Sequence, residues 1–271
     1  MTTAIPTSAN KDLGTGRFRK NRGNSARSIG GIVAAIVIWE LLSLSGAVNK
    51  NALPSPPSTF AALIKNFGGL SKSLFGTLEA WVIGMLIATI AGVVIGTLVG
   101  RSPVADAASE TVVRMMRPLP SLALIPIAIL VAGLGLKMTV GLVSFAAFWP
   151  IFINTRAGVR QVDNRFLESG SALGLKGLEL LFRVILPAAA PLVAGGIQIA
   201  ISIALIVTIS VELVGGTGGL GQFVLLAQQA NALSEMFAGI IVGGFIGWLL
   251  NVLFMNIVDR VLPWRTQGEI N

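Results

Sequence analysis

Apolar residues fill six stretches of the chain, 29–44, 77–99, 119–134, 138–154, 192–214 and 236–258, each bounded by polar or Gly/Pro-rich sequence. A helix of about 20 apolar residues crosses a hydrocarbon layer of ~30 Å. The pattern therefore predicts an all-α, polytopic membrane protein with six transmembrane helices. Between the fourth and fifth runs, residues 156–187 are too polar to sit in lipid. This segment reads as two short amphipathic helices: Asp163 is a natural N-cap for the first and Gly174 ends it. Leu178, Leu181, Phe182 and Ile185 then recur at the spacing of one helix face, and Pro187 is expected to stop the second helix before the next span.

The remaining polar stretches divide the chain. Residues 1–27 read as a disordered tail, 28–75 as the first span followed by an outer segment, 76–259 as the membrane core and 260–271 as a second tail. Within the outer segment, the proline-rich residues 53–58 are expected to be extended and 59–67 to form a short amphipathic helix on the surface. A signal peptide shares the charge-then-apolar order of the first residues, but the long polar leader and Glu40 within the apolar run favour an uncleaved helix.

Charge fixes an orientation. Of the 20 Lys and Arg residues, Lys50, Lys65, Lys72 and Lys137 fall on one side of the alternating spans and the other sixteen on the opposite side. The positive-inside rule places both termini, and the 156–187 loop, in the cytoplasm. The net charge of +8 sits beside membrane runs, so its natural partner is an anionic inner leaflet rather than nucleic acid.

Composition narrows the chemistry. The chain is 54% apolar with a mean hydropathy of +0.81, and it lacks cysteine, histidine and tyrosine. Disulfides, thiol and imidazole catalysis and the common metal ligand sets are excluded. Gly216 to Gly221 matches G-x-G-x-x-G, but it follows a membrane helix instead of a strand, so a turn or pore-lining loop is the expected role. The sequence has no G-x-x-x-x-G-K-[ST] phosphate loop. Any ATP hydrolysis must then come from another chain. Two overlapping small-xxx-small repeats, Gly92-Gly96-Gly100 and Gly239-Gly243-Gly247, allow close helix approach, expected within the chain, with a dimer face as the alternative.

Glu168-Ser169-Gly170-Ser171-Ala172-Leu173-Gly174, followed after nine residues by Val184-Ile185-Leu186-Pro187, resembles the cytoplasmic loop E-A-A-x3-G-x9-I-x-L-P of bacterial ABC importer permeases. Ser169 and Gly170 replace the two alanines and Val184 replaces isoleucine. Leu119 to Pro126 and Leu134 to Lys137 resemble the nitrate, taurine and aliphatic sulfonate branch of that family. The resemblance implies an ABC type I permease fold that moves a small oxyanion. It also implies a second permease copy, two ABC ATPase subunits that bind the ATP, and an extracytoplasmic binding protein, with no cofactor in this chain. Asp163, Glu168, Gly174, Leu178, Leu181, Phe182, Leu186 and Pro187 would form the ATPase-coupling loop.

Ionisable groups inside membrane runs normally face a cavity or a partner, and Glu40, Glu79 and Glu212 are the candidates. Glu212 shares the fifth span with Gln198, Ser202 and Thr208, and in the resembling family this span lines the translocation pathway. Two roles stay open for Glu212, a structural hydrogen bond or a place in the pathway. Asn251 and Asn256 are candidates for hydrogen bonds between helices. An ion-gradient-driven transporter or channel is the alternative function, with only those three carboxylates to couple ions. An intramembrane enzyme has no carboxylate pair or nucleophile dyad to rest on.

Overall fold

The computed structural model describes residues 22–45, 52–116 and 119–264, with side chains from residue 30 onward. Among them all regular structure is helical. In chain order the helices are α1 (Arg22–Leu44), α2 (Pro56–Lys65), α3 (Phe67–Gly100), α4 (Pro103–Met116), α5 (Ile125–Ala132), α6 (Leu136–Arg160), α7 (Asn164–Ala172), α8 (Leu178–Leu180), α9 (Leu186–Gly215), α10 (Gly219–Gln229) and α11 (Leu233–Val261). A 3₁₀ turn, Ser121–Leu124, precedes α5, and a π-helical turn, Leu181–Ile185, joins α8 to α9.

α6 is the centre of the bundle, packed between α3 and α9, and its Val143, Ala147 and Ile151 are fully buried. Lipid tails give helices no hydrophobic reason to associate, so such contacts depend on close van der Waals fit. The first glycine repeat supplies it: a Cβ on Gly92 would come within 2.8 Å of Ile151, and one on Gly96 within 2.8 Å of Thr155. Gly239 meets Val224 and Phe223 of α10, and Gly247 meets Leu205 of α9. Both repeats thus serve contacts inside the chain.

By length and composition α3, α6, the continuous α8–α9 rod (Leu178–Gly215) and α11 can each cross a membrane. The other two expected spans are less regular. α1, 23 residues long, begins at Arg22, inside the stretch expected to be a tail, and its described side chains form an apolar stretch over Gly30–Leu44 interrupted by Glu40; residues 1–21 of that expected tail lie outside the described residues. The expected third span is broken. Pro120 and Pro126 leave a short 3₁₀ turn and the eight-residue α5, whose combined rise of about 20 Å is less than the hydrocarbon thickness. α5 lies at about 80° to α4. Pro126 therefore opens a helix at its first turn, where its missing N–H costs nothing, instead of kinking a long one.

Boundaries also shift in the segment before α3. Residues 56–58, expected to be extended, form the first turn of α2. Ser55 is its N-cap, accepting from the Ser58 amide, and Pro56 and Pro57 fit the first helical positions. α3 starts ten residues before the apolar run and continues to Gly100.

Candidate functional site

One end of the bundle carries the loop that the sequence singled out. Asp163 Oδ1 accepts a hydrogen bond of 2.9 Å from the Arg165 amide and starts α7. α7 ends in a left-handed turn: Gly174 has φ of +84°, and the Leu175 amide bonds back to the Gly170 carbonyl at 3.0 Å. Gly177 is also at positive φ, so two glycines reverse the chain onto α8.

The second loop helix differs from expectation. Pro187 does not end it; the backbone continues from Leu178 through the π turn into α9. In a regular α-helix a proline ring collides with the carbonyl four residues before it. The wider π turn over Leu181–Ile185 relieves this clash, and Pro187 falls in the first turn of α9.

The expected single apolar face also divides. Leu181 and Ile185 are buried against Val159 and Ala189, fastening the loop to α6 and α9. Leu178 and Phe182 are more than 60% exposed and, with Leu173, leave apolar surface bare at this end of the bundle, where Glu168 is also exposed. Leu186 packs at the edge of the buried cluster. Gly170, which stands where the resembling loop has alanine, is buried: a Cβ there would meet Leu180 at 2.7 Å and Val184 at 3.2 Å. Its side of α7 is seated on the chain's own 178–185 segment.

At the opposite end Glu212 lies 2% exposed near the C-terminus of α9. Its Oε2 accepts from Thr77 Oγ1 on α3 and from the Gly221 amide on α10, both at 2.9 Å. Thr77 Oγ1 in turn accepts from the Leu220 amide at 2.8 Å. Two side chains from other helices thus satisfy amides of the first turn of α10, which no water can serve in a buried setting. The glycine string fits this arrangement: a Cβ on Gly219 would overlap the Glu212 carboxylate, and one on Gly221 the Ile209 carbonyl. Sequence reading picked out Glu212 but missed Thr77, which opens the α3 apolar run 135 positions earlier. Glu212 also borders a cavity of about 120 Å³ with Glu79, Thr139 and Thr217.

The other expected pathway residues part company with Glu212. Gln198 and Ser202 of α9 line an open groove of about 570 Å³ with Asn154 of α6 and Asn251 of α11, and Gln198 Nε2 donates to Asn251 Oδ1 at 3.4 Å. A neighbouring cavity of about 320 Å³ shares Asn154, Ile199 and Ile203 and reaches Ser121 and Trp149. Thr208 does not join them: it is fully buried, and its hydroxyl donates to the Ala204 carbonyl within α9. Asn256 is exposed on α11. Glu40 is half-buried on α1, with Oε2 unpartnered among the described residues. No group of three or more His, Cys, Asp or Glu able to hold a metal occurs among the described residues.

Comparisons with known proteins agree with this architecture. The solved methionine importer MetNI, in an inward-facing form, superposes with a TM-score of 0.59 at 19% identity, covering 76% of this chain and 99% of the other. An amino acid ABC transporter structure with histidines gives 0.59 at 17% identity over 75% and 97%. In sequence, the bicarbonate transport permease CmpB of Synechocystis sp. is 31% identical over 93% of this chain and 95% of its own. The aliphatic sulfonates transport permease SsuC of Bacillus subtilis is 32% identical over 86% of each. The taurine permease TauC of Escherichia coli is 26% identical over 90% of each. The family profile described as "Binding-protein-dependent transport system inner membrane component" matches residues 88–267; the chain belongs to this family, the permease subunits of ABC importers.

Proposed function

We propose that two copies of this chain form the membrane pathway of an ATP-driven importer for a small oxyanion, with ATP bound and hydrolysed by two partner ATPase subunits and solute delivered by an extracytoplasmic binding protein. The observation that carries this reading is the inner-end loop. An N-capped helix with exposed Glu168 stands beside bare apolar Leu173, Leu178 and Phe182, on a platform fastened to α6 and α9. That is a docking surface tied to the helices that line the groove. In this reading the chain performs no bond chemistry and carries no cofactor of its own.

The relatives are named for bicarbonate, aliphatic sulfonates and taurine, and another for nitrate. Their common chemistry is a small anion with several oxygen acceptors. The groove suits such a solute without trapping it: Asn154, Gln198, Ser202 and Asn251 offer neutral amide and hydroxyl groups, and no Lys or Arg lines it. Amides at membrane depth are costly against lipid, so this face belongs against water or a second permease copy. Both termini lie in the cytoplasm in this reading, because Arg101, Arg114, Arg156, Arg160, Arg165, Lys176 and Arg183 fall in or beside the inner-end elements, α4, the α6 terminus and the loop.

The test is copurification of stoichiometric ATPase chains with the tagged permease. It is followed by uptake of labelled bicarbonate, nitrate or alkanesulfonate into ATP-loaded proteoliposomes in the presence of the binding protein. Uptake that needs an ion gradient and ignores ATP would overturn the reading.

A further inference from the structure

Four charged side chains from two helices meet beside the loop, and neither the groove nor the docking surface uses them. Arg156 of α6 donates through Nε to Asp106 of α4 and through Nη2 to Glu110 at 2.9 Å, while Arg160 donates to the second Asp106 oxygen. The Arg156 and Asp106 side chains are only 12% and 9% exposed. The Arg156 guanidinium, hydrogen-bonded to both, holds the Asp106 and Glu110 carboxyls below their usual range, so the network stays charged at any cytoplasmic pH.

Such a network is poorly explained by stability alone, since well-packed apolar side chains commonly do as well as a buried ion pair. Its position gives it another use. Arg156 and Arg160 occupy the last turns of α6, and only Gln161 and Val162 separate Arg160 from the α7 cap. α4 packs its backbone on α3, and these ion pairs link it to α6. A cavity of about 370 Å³ separates α4 from the loop, with Asp106 and Arg160 on one side and Leu167, Leu180 and Ile185 on the other.

We propose that Arg156 and Arg160 are positioning residues that make α4 move with the coupling loop, so that loop motion reaches the bundle twice: directly through α6 and α9, and through α4 to α3, on which it packs. The inference rests on the importer reading. Arg156 is then a coupling element, and its loss separates ATP turnover from transport.

The test uses the full complex with its ATPase subunits and binding protein in proteoliposomes, measuring ATP hydrolysed per solute imported. Arg156→Gln is expected to keep the subunit complement and ATP hydrolysis within about twofold of the parent while uptake falls about tenfold. Glu110→Gln, which removes one half-exposed arm, is expected to lower uptake about threefold. The full exchange of Asp106→Arg and Glu110→Arg with Arg156→Asp and Arg160→Asp, which inverts every ion pair of the network, is expected to recover part of the coupling. An unchanged ATP-to-solute ratio in Arg156→Gln, or hydrolysis and uptake falling in parallel, overturns the proposal. If Arg156→Gln fails to assemble, Glu110→Gln and the exchange decide by the same ratio. Absence of ATP-driven uptake in the unsubstituted complex would overturn the importer reading instead.

Discussion

Replacing Glu212 by alanine separates the two roles the sequence left open. The carboxylate is the acceptor for the Gly221 amide and for the Thr77 hydroxyl. After truncation Thr77 has a fallback, since the Ser73 carbonyl lies 3.3 Å from its oxygen, but the Gly221 amide has none in α10's first turn. A buried donor left unmade costs about 1–3 kcal/mol, and the weaker Thr77 bond adds to it. The total is on the order of 2–4 kcal/mol. At about 2–4 °C per kcal/mol for a chain of this size, the detergent-solubilised protein should melt roughly 4–16 °C earlier. Glu212→Gln keeps a carbonyl oxygen for the same donors and should cost about 1 kcal/mol. Thr77→Val, which removes the hydroxyl from the other side, should resemble Glu212→Ala. Thermal unfolding followed by size-exclusion chromatography reads all three. An Ala variant that melts within a degree of the parent yet has lost uptake would refute the brace and place Glu212 in the path.

The other predictions concern the loop, the groove and the topology. Gly170→Val should unseat α7 from Leu180 and Val184 and lower ATPase copurification severalfold, whereas Gly170→Ala, which needs only the terminal methyl of Leu180 to swing aside, should keep at least half. Gly174→Val meets no neighbour within 4 Å, so its cost is backbone strain at φ +84°, about 1–2 kcal/mol; uptake and ATPase association should fall together while membrane insertion is normal. Glu168→Lys should weaken ATPase association without changing the melting temperature, because Glu168 is exposed. Gln198→Leu should reduce uptake and leave the subunit complement intact, as expected of a groove-lining amide. Reporter fusions near Gly174 should give a cytoplasmic signal, and those after Gly135 and Gly218 the opposite; a cytoplasmic signal at Gly218 would sink the topology.

What the sequence disclosed follows from local physics. Uninterrupted apolar runs marked α3, α6, α9 and α11 because a bilayer requires that composition over that length. Asp163 and Gly174 were legible because a cap and a left-handed turn are set within a few residues. The broken third span was missed for the opposite reason: its composition is apolar throughout, and only the spacing of Pro120 and Pro126 hinted that backbone geometry would overrule hydropathy.

The unread features join residues far apart in sequence. Nothing near Gly170 announces that Leu180 and Val184 occupy the space of a side chain there, so a substitution that looked like a lost helix former is a packing requirement. Thr77 reads as the polar edge of a span until Glu212 is brought against it. Arg156 and Arg160 were counted as topology signals, yet their partners lie 46 to 54 positions earlier on α4. Pro187 shows how a local rule fails: its ring does forbid a regular α-helix four residues back, but the chain answers with a π turn and no break. The consequence is mechanical. A helix that stopped at Pro187 would leave the loop hinged to the bundle, whereas the continuous rod from Leu178 to Gly215 carries the exposed Leu178 and Phe182 on the same run of backbone as Gln198 and Ser202, the connection that the proposed coupling of loop to groove requires.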